Sequence, residues 1–179
     1  ARAADPKSPA DVRAPALLRQ GEALASAQKW KESDAALSAF LDAFPASDQW
    51  FRARFGQGWA RENLGRHEDA ITAYRDVASR HKGATAARAQ FQIGECLYAL
   101  KKLDLAVAEF AKTDVLFAVP EWSAAALYEA GRCLDELKKP EDATRQFDEL
   151  LKRFPDSSWA KLAKDRRPPQ TAPASIPGH

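Results

Sequence analysis

The sequence predicts an all-α fold of stacked helix pairs, on three observations. Helix formers dominate: alanine occurs 37 times among the 179 residues, whereas valine and isoleucine together occur 8 times, too few β-branched side chains to stock a sheet. Gly21, Gly58, Gly94 and Gly131 recur at intervals of 37, 36 and 37 residues, a period that marks stacked supersecondary units. Large apolar residues keep register with those glycines. Leu18, Phe55, Phe91 and Tyr128 stand three before them, and Leu37, Tyr74, Phe110 and Phe147 stand sixteen after. A column of small residues twelve after the glycine, Ser33, Ala70, Ala106 and Ala143, predicts close approach of a second helix.

Each unit therefore reads as helix, tight turn, helix. The glycine lies inside the first helix, where it costs about 1 kcal/mol relative to alanine, and a cost repeated in every unit predicts a close contact that only the missing side chain permits. The first unit, about 14–46, is built around Gly21, turns at Gln28-Lys29 and closes at Phe44-Pro45. The second, about 47–83, turns at Leu64-Gly65-Arg66 and ends at His81-Lys82, and the third, about 84–119, turns at Lys101-Lys102 and ends at Phe117-Ala118. The fourth, about 120–156, turns at Lys138-Lys139-Pro140. There Pro140, Glu141 and Asp142 open a helix with proline in the first turn and acids at the positive end of the dipole, and Phe154-Pro155 closes it. Residues 157–166 begin a further first helix whose exposed side carries Lys161, Lys164 and Arg166, as a capping helix requires. Two positions depart from the pattern: Arg61 stands where other units have Leu24, Leu97 and Leu134, and Ser33 stands in the alanine column. Prolines crowd both ends, so 1–13 and 167–179 are expected to be extended tails.

These residues resemble the tetratricopeptide repeat family, whose unit is two antiparallel helices in about 34 residues. The resemblance covers roughly 14–166 and implies a right-handed α-solenoid of about four helix pairs with a C-terminal capping helix. The runs Ile93-Gly94-Glu95-Cys96-Leu97-Tyr98 and Leu151 to Ala160 look like repeats of bacterial envelope proteins, such as the Tol/Pal coordinator and an outer-membrane assembly lipoprotein. The family's groove is lined by one stripe of each first helix, at three before, one after and four after the glycine, to which the residue six before adds arginines. Carried onto this chain, the expected partner-binding residues are Arg52, Phe55, Trp59, Arg88, Phe91, Glu95, Tyr98, Tyr128 and Arg132. Aromatics interleaved with arginine are what protein-binding hot spots use. The carboxylate clamp of some co-chaperones resembles a fixed set of Lys, Asn and Arg on these helices, and the residues here do not reproduce it. The implied function is a non-enzymatic adaptor that takes a peptide or partner protein. The alternative is an assembly domain that packs through its ends or convex side.

Composition and motifs narrow the remaining classes. Lys and Arg total 27 against 25 Asp and Glu, so no clustered cationic excess argues for nucleic acid, and Glu22, Glu62, Glu95 and Asp135 on the stripes oppose an RNA groove. No apolar stretch approaches the roughly 18 residues of a spanning helix, so no membrane insertion is expected. The sequence lacks a nucleophile elbow, a phosphate loop and a zincin helix, and no enzyme activity is expected. Cys96 and Cys133 occupy the same slot of successive units and read as buried hydrophobes. His67, His81 and His179 are scattered, so no metal and no cofactor are expected. The Ala-rich start, Ala1-Arg2-Ala3-Ala4-Asp5, is compatible with the mature end left by signal-peptide cleavage. Together with the envelope-type runs it gives an expectation of export to the periplasm, as part of an envelope complex, with the cytoplasm as the alternative.

Overall fold

The computed structural model describes residues 9–166, which fold as helix pairs followed by one closing helix. In chain order these are α1 (Ala10–Ser26), α2 (Trp30–Ala43), α3 (Trp50–Asn63), α4 (His67–Arg80), α5 (Ala84–Ala99), α6 (Leu103–Phe117), α7 (Pro120–Glu136), α8 (Pro140–Arg153) and α9 (Ser158–Arg166). The solenoid predicted from the period is therefore present. One boundary differs: α1 begins at Ala10, inside the segment expected to be extended, and carries Pro15 within it. That proline stands in the second turn, where it removes the amide that would bond to the carbonyl four residues earlier, and the helix continues through it. The tails 1–8 and 167–179 lie outside the described residues.

The glycine column is explained by the column sixteen residues later. A Cβ on Gly94 would lie 2.5 Å from the ring of Phe110, and one on Gly58 would lie 2.8 Å from the ring of Tyr74. Leu37 seats on Gly21 and Phe147 on Gly131 in the same way. Tyr74, Phe110, Phe147 and Leu37 are fully buried, so each second helix locks onto its first through one large side chain over bare backbone. The small column beside them is buried too. Ser33 fits among the alanines because its hydroxyl donates to the Gly21 carbonyl at 2.9 Å, and a buried hydroxyl must find such a partner.

The tight turns share one device. Gln28, Gly65, Lys101 and Lys138, each seven residues after its glycine, all have left-handed backbone, with φ of 57°, 74°, 60° and 58°. The next residue's amide reaches back to the helix, as in Lys29 N–H to Leu24 C=O and Lys102 N–H to Leu97 C=O, both at 2.9 Å. This is the Schellman closure, and only the second repeat uses glycine for it. The Arg61 departure is a partnered one: its Nε donates to Asp34 at 3.0 Å, so an ion pair joins the first two repeats where later repeats pack leucine.

Candidate functional site

Successive first helices pack closely on one another, α1 on α3, α3 on α5, α5 on α7 and α7 on α9, whereas the backbones of the second helices stay apart and α6 and α8 meet through the Asp114–Arg153 ion pair. Closer stacking along one side bends the array and makes the first helices its inner, concave wall. The residue nine before each glycine position sets how open that wall is. In α7 this residue is Trp122, which lies over Phe91 at 5.4 Å between ring centroids. Trp159 of α9 covers Tyr128 in the same manner at 5.3 Å. At the equivalent place over Phe55 stands Thr85, too small to cover a ring.

A pocket of about 550 Å³ opens there, within the range of small ligand sites. Arg52, Phe55, Trp59 and Arg88 line it, with Trp122 as its far wall. Gly56 also belongs to the lining, and the space beside its backbone is taken by Leu37, 2.9 Å from where a Cβ would be. Trp59 is 36% exposed and is held edge-on against Trp30 at 5.5 Å. Arg88 lies 4.9 Å from the Phe55 ring and 5.6 Å from Trp122, a cation held between two aromatic faces at the rim. Arg52 is oriented by Glu22 at 2.7 Å. Half-buried Phe55 rests on Tyr74 at 5.3 Å.

Glu95, Tyr98 and Arg132 gather farther along, in a polar network between α5 and α7. Arg132 pairs with Glu129 at 2.5 Å, donates to the Tyr98 hydroxyl at 3.1 Å and lies 5.0 Å over the Tyr98 ring. The Tyr98 hydroxyl in turn donates to Glu136. Burial, then repulsion from Glu129 and Glu62, pushes the Glu95 carboxyl up to about 7, and Arg132 only partly offsets them. One of its oxygens is buried with no hydrogen-bond partner. Burial raises Glu129 as well.

The expected stripe thus divides. Arg52, Phe55, Trp59 and Arg88 meet at the pocket, and Glu95, Tyr98 and Arg132 meet in the polar network. Phe91 and Tyr128 are each only 7% exposed and lie in the core between, against Phe110 at 5.3 Å and Phe147 at 6.0 Å. The tryptophans of the following repeats close over them, so they offer little surface to a partner. Sequence reasoning missed Thr85, Gly56 and Trp122. The signal for the pocket was the column Thr85, Trp122 and Trp159 at 37-residue spacing, with its small first member.

Models of the tetratricopeptide repeat match residues 18–84, 55–120 and 125–157, which together span most of the chain. The chain belongs to the tetratricopeptide repeat family. No curated protein sequence matches it significantly. Among solved structures, a tetratricopeptide repeat protein from Parabacteroides merdae superposes with a TM-score of 0.70 at 19% identity, over 84% of this chain and 57% of that one. The apo form of RapI gives 0.75 at 13% identity, over 88% and 48%. MamA from Desulfovibrio magneticus gives 0.65 at 19% identity, over 80% and 78%. The chain thus spans about half the length of the first two. At these identities the likeness shows the fold. Tetratricopeptide repeats are in general protein-interaction modules and typically non-catalytic. Among the described residues no helix is long and apolar enough to cross a membrane.

Proposed function

We propose that this tetratricopeptide chain is a non-enzymatic adaptor that holds a peptide or a segment of a partner protein in its concave groove. The anchor is the pocket over Phe55. The single observation that supports this reading is the gap left by Thr85, where the two following repeats place a tryptophan over the equivalent ring. An aromatic-lined recess with arginine at the rim suits a bulky apolar side chain, and buried aromatic and arginine contacts carry most binding energy in such interfaces. The setting we propose is a bacterial envelope complex, supported by the resemblance of the Ile93–Tyr98 and Leu151–Ala160 runs to repeats of envelope proteins. Subcellular fractionation in the source cell tests that setting, and a purely cytoplasmic chain overturns it.

A displayed random-peptide library tests the groove. Peptides selected on the parent should share a bulky apolar residue and should lose about tenfold or more in affinity for Thr85→Trp, which fills the recess as Trp122 fills its own. Arg88→Ala should weaken the same peptides, and Ser79→Glu on α4, away from the groove, should not. Equal binding by the parent and Thr85→Trp, with both helical, overturns the proposal. Phe91→Ala is a poor probe because it opens the core.

A further inference from the structure

The second helices share one register, so their outer faces can be compared position by position. Eleven residues after the glycine, α2, α4 and α8 carry Glu32, Asp69 and Asp142, whereas α6 carries Leu105. At the far end of the helix α6 has Val115 where the others have Asp42, Ser79 and Lys152. Next to it stands Leu116, where α4 and α8 have Arg80 and Arg153. Leu105 is 57% exposed, Val115 78% and Leu116 65%. Together with exposed Ala108 and Lys112 they follow the 3-4-3 spacing that lays side chains along one face of a helix. This face points away from α5 and α7, on the convex side, and no second helix touches it.

Its charged neighbours are already neutralised within the chain. Asp104 pairs with Lys139 at 3.0 Å, Lys112 with Glu109 at 2.9 Å and Asp114 with Arg153 at 2.5 Å. The face therefore carries no net charge to repel an identical face, as two-fold self-pairing requires. We propose that it is covered by α6 of a second copy of this chain, packed antiparallel about a two-fold axis perpendicular to the helix. Leu105 of one copy then meets Val115 and Leu116 of the other. Ala108 at the centre lets the backbones approach closely, and the stem of Lys112 lies over it with the ammonium left at Glu109.

The charges on the flanking helices select this orientation. An antiparallel pairing lays α8 beside the other copy's α8, and α4 beside its α4. On α8 the first-turn Glu141 then faces the last-turn Lys152 of the same helix in the partner, whereas Asp69, Arg80 and Asp142 are already held by Arg66, Asp76 and Arg145 of their own chain and contribute less. A parallel pairing would set α4 against α8 with acids opposite acids. The patch spans about three turns of one helix, less than the standard interface of about 1,600 Å², so the dimer is weak and concentration-dependent. Both concave grooves stay open in it, which makes the pair bivalent. The pairing stands independently of what the groove binds.

Sedimentation equilibrium of the full chain tests this. The average mass should rise from 19.7 kDa toward twice that value between about 5 and 500 μM, the range a small interface reaches. Val115→Glu with Leu116→Glu should stay monomeric throughout, with an unchanged far-UV spectrum, because both side chains are exposed. Gln20→Glu, on the exposed surface of the first helix α1 and away from this face, should behave as the parent. Lys152→Glu should weaken pairing several-fold, and adding Glu141→Lys should restore it. The proposal is overturned by a parent monomeric over the whole range, which would leave the face to a foreign apolar helix. Dimerisation of the Val115→Glu/Leu116→Glu chain, or no recovery in the charge-swapped chain, would also overturn it.

Discussion

Glu95 ties the pH response of the fold to the groove. Its carboxyl is raised from the ordinary 4.5 to about 7, chiefly by burial and then by Glu129 and Glu62. Between those two values the folded chain keeps a proton that the unfolded chain has released. Stability against unfolding must therefore fall as pH rises through that window and level off above it. A displacement of this size corresponds to at most about 3 kcal/mol. The carboxylate still reaches some solvent and faces Arg132, so about 1–2 kcal/mol is the expected effect. Glu95→Gln cannot ionise, so its stability relative to the parent should be nearly level at pH 5 and should rise by that amount by pH 8. Urea unfolding followed by circular dichroism at several pH values, with parent and variant side by side, isolates this residue from the other titrating groups. A difference that stays constant from pH 5 to 8, or a variant less stable than the parent at pH 8, refutes the reasoning. Glu129→Gln should flatten the parent's slope in the same assay, because it removes the larger of the two repulsions.

Other tests address the packing. Gly94→Ala should destabilise by about 1–3 kcal/mol through collision with Phe110, despite alanine's better helix propensity, and calorimetry reads this directly. Lys101→Gly and Lys138→Gly should each stabilise by about 0.5–1 kcal/mol in urea titrations, because both side chains sit in left-handed backbone that Gly65 occupies freely. Asp34→Leu with Arg61→Leu should be nearly neutral, and Asp34→Leu alone should cost about 1 kcal/mol or more by stranding Arg61, whereas Arg61→Leu alone should cost less because Arg66 still pairs with Asp34. Cys96 and Cys133 are buried free thiols, and burial pushes Cys133 up to about 12. A thiol reagent should therefore find neither in the folded chain at pH 8 and both in urea.

The period of the glycines, and the two large columns in register with it, determined the helix pairs before any coordinate was known. Periodicity survives in sequence because every repeat must solve the same local packing problem: Tyr74, Phe110 and Phe147 each need a bare backbone to rest on. The turns were legible for the same reason, although the left-handed residue in them was visible only where it happens to be Gly65. Arg61 and Ser33 looked like lapses in the pattern. Tertiary contacts make them partnered positions, through Asp34 in the preceding repeat and the Gly21 carbonyl in the facing helix; the Ser33–Gly21 spacing is the column's own, but nothing in the sequence singles out Asp34 as the partner of Arg61.

The groove was legible only as a stripe. Helical spacing places Arg52, Phe55, Trp59, Arg88, Phe91 and Tyr128 on the same side of their helices, but it says nothing about what the next repeat lays over them. Trp122 buries Phe91 and Trp159 buries Tyr128, whereas Thr85 leaves Phe55 open, so exposure is decided by a residue some thirty positions later in the chain. Likewise the environment of Glu95 comes from Glu62 and Glu129 on neighbouring helices. Local sequence thus determined which faces the helices possess. Which parts of those faces reach solvent, and which acid holds its proton near neutral pH, was decided by stacking, because burial and electrostatics depend on neighbours in space.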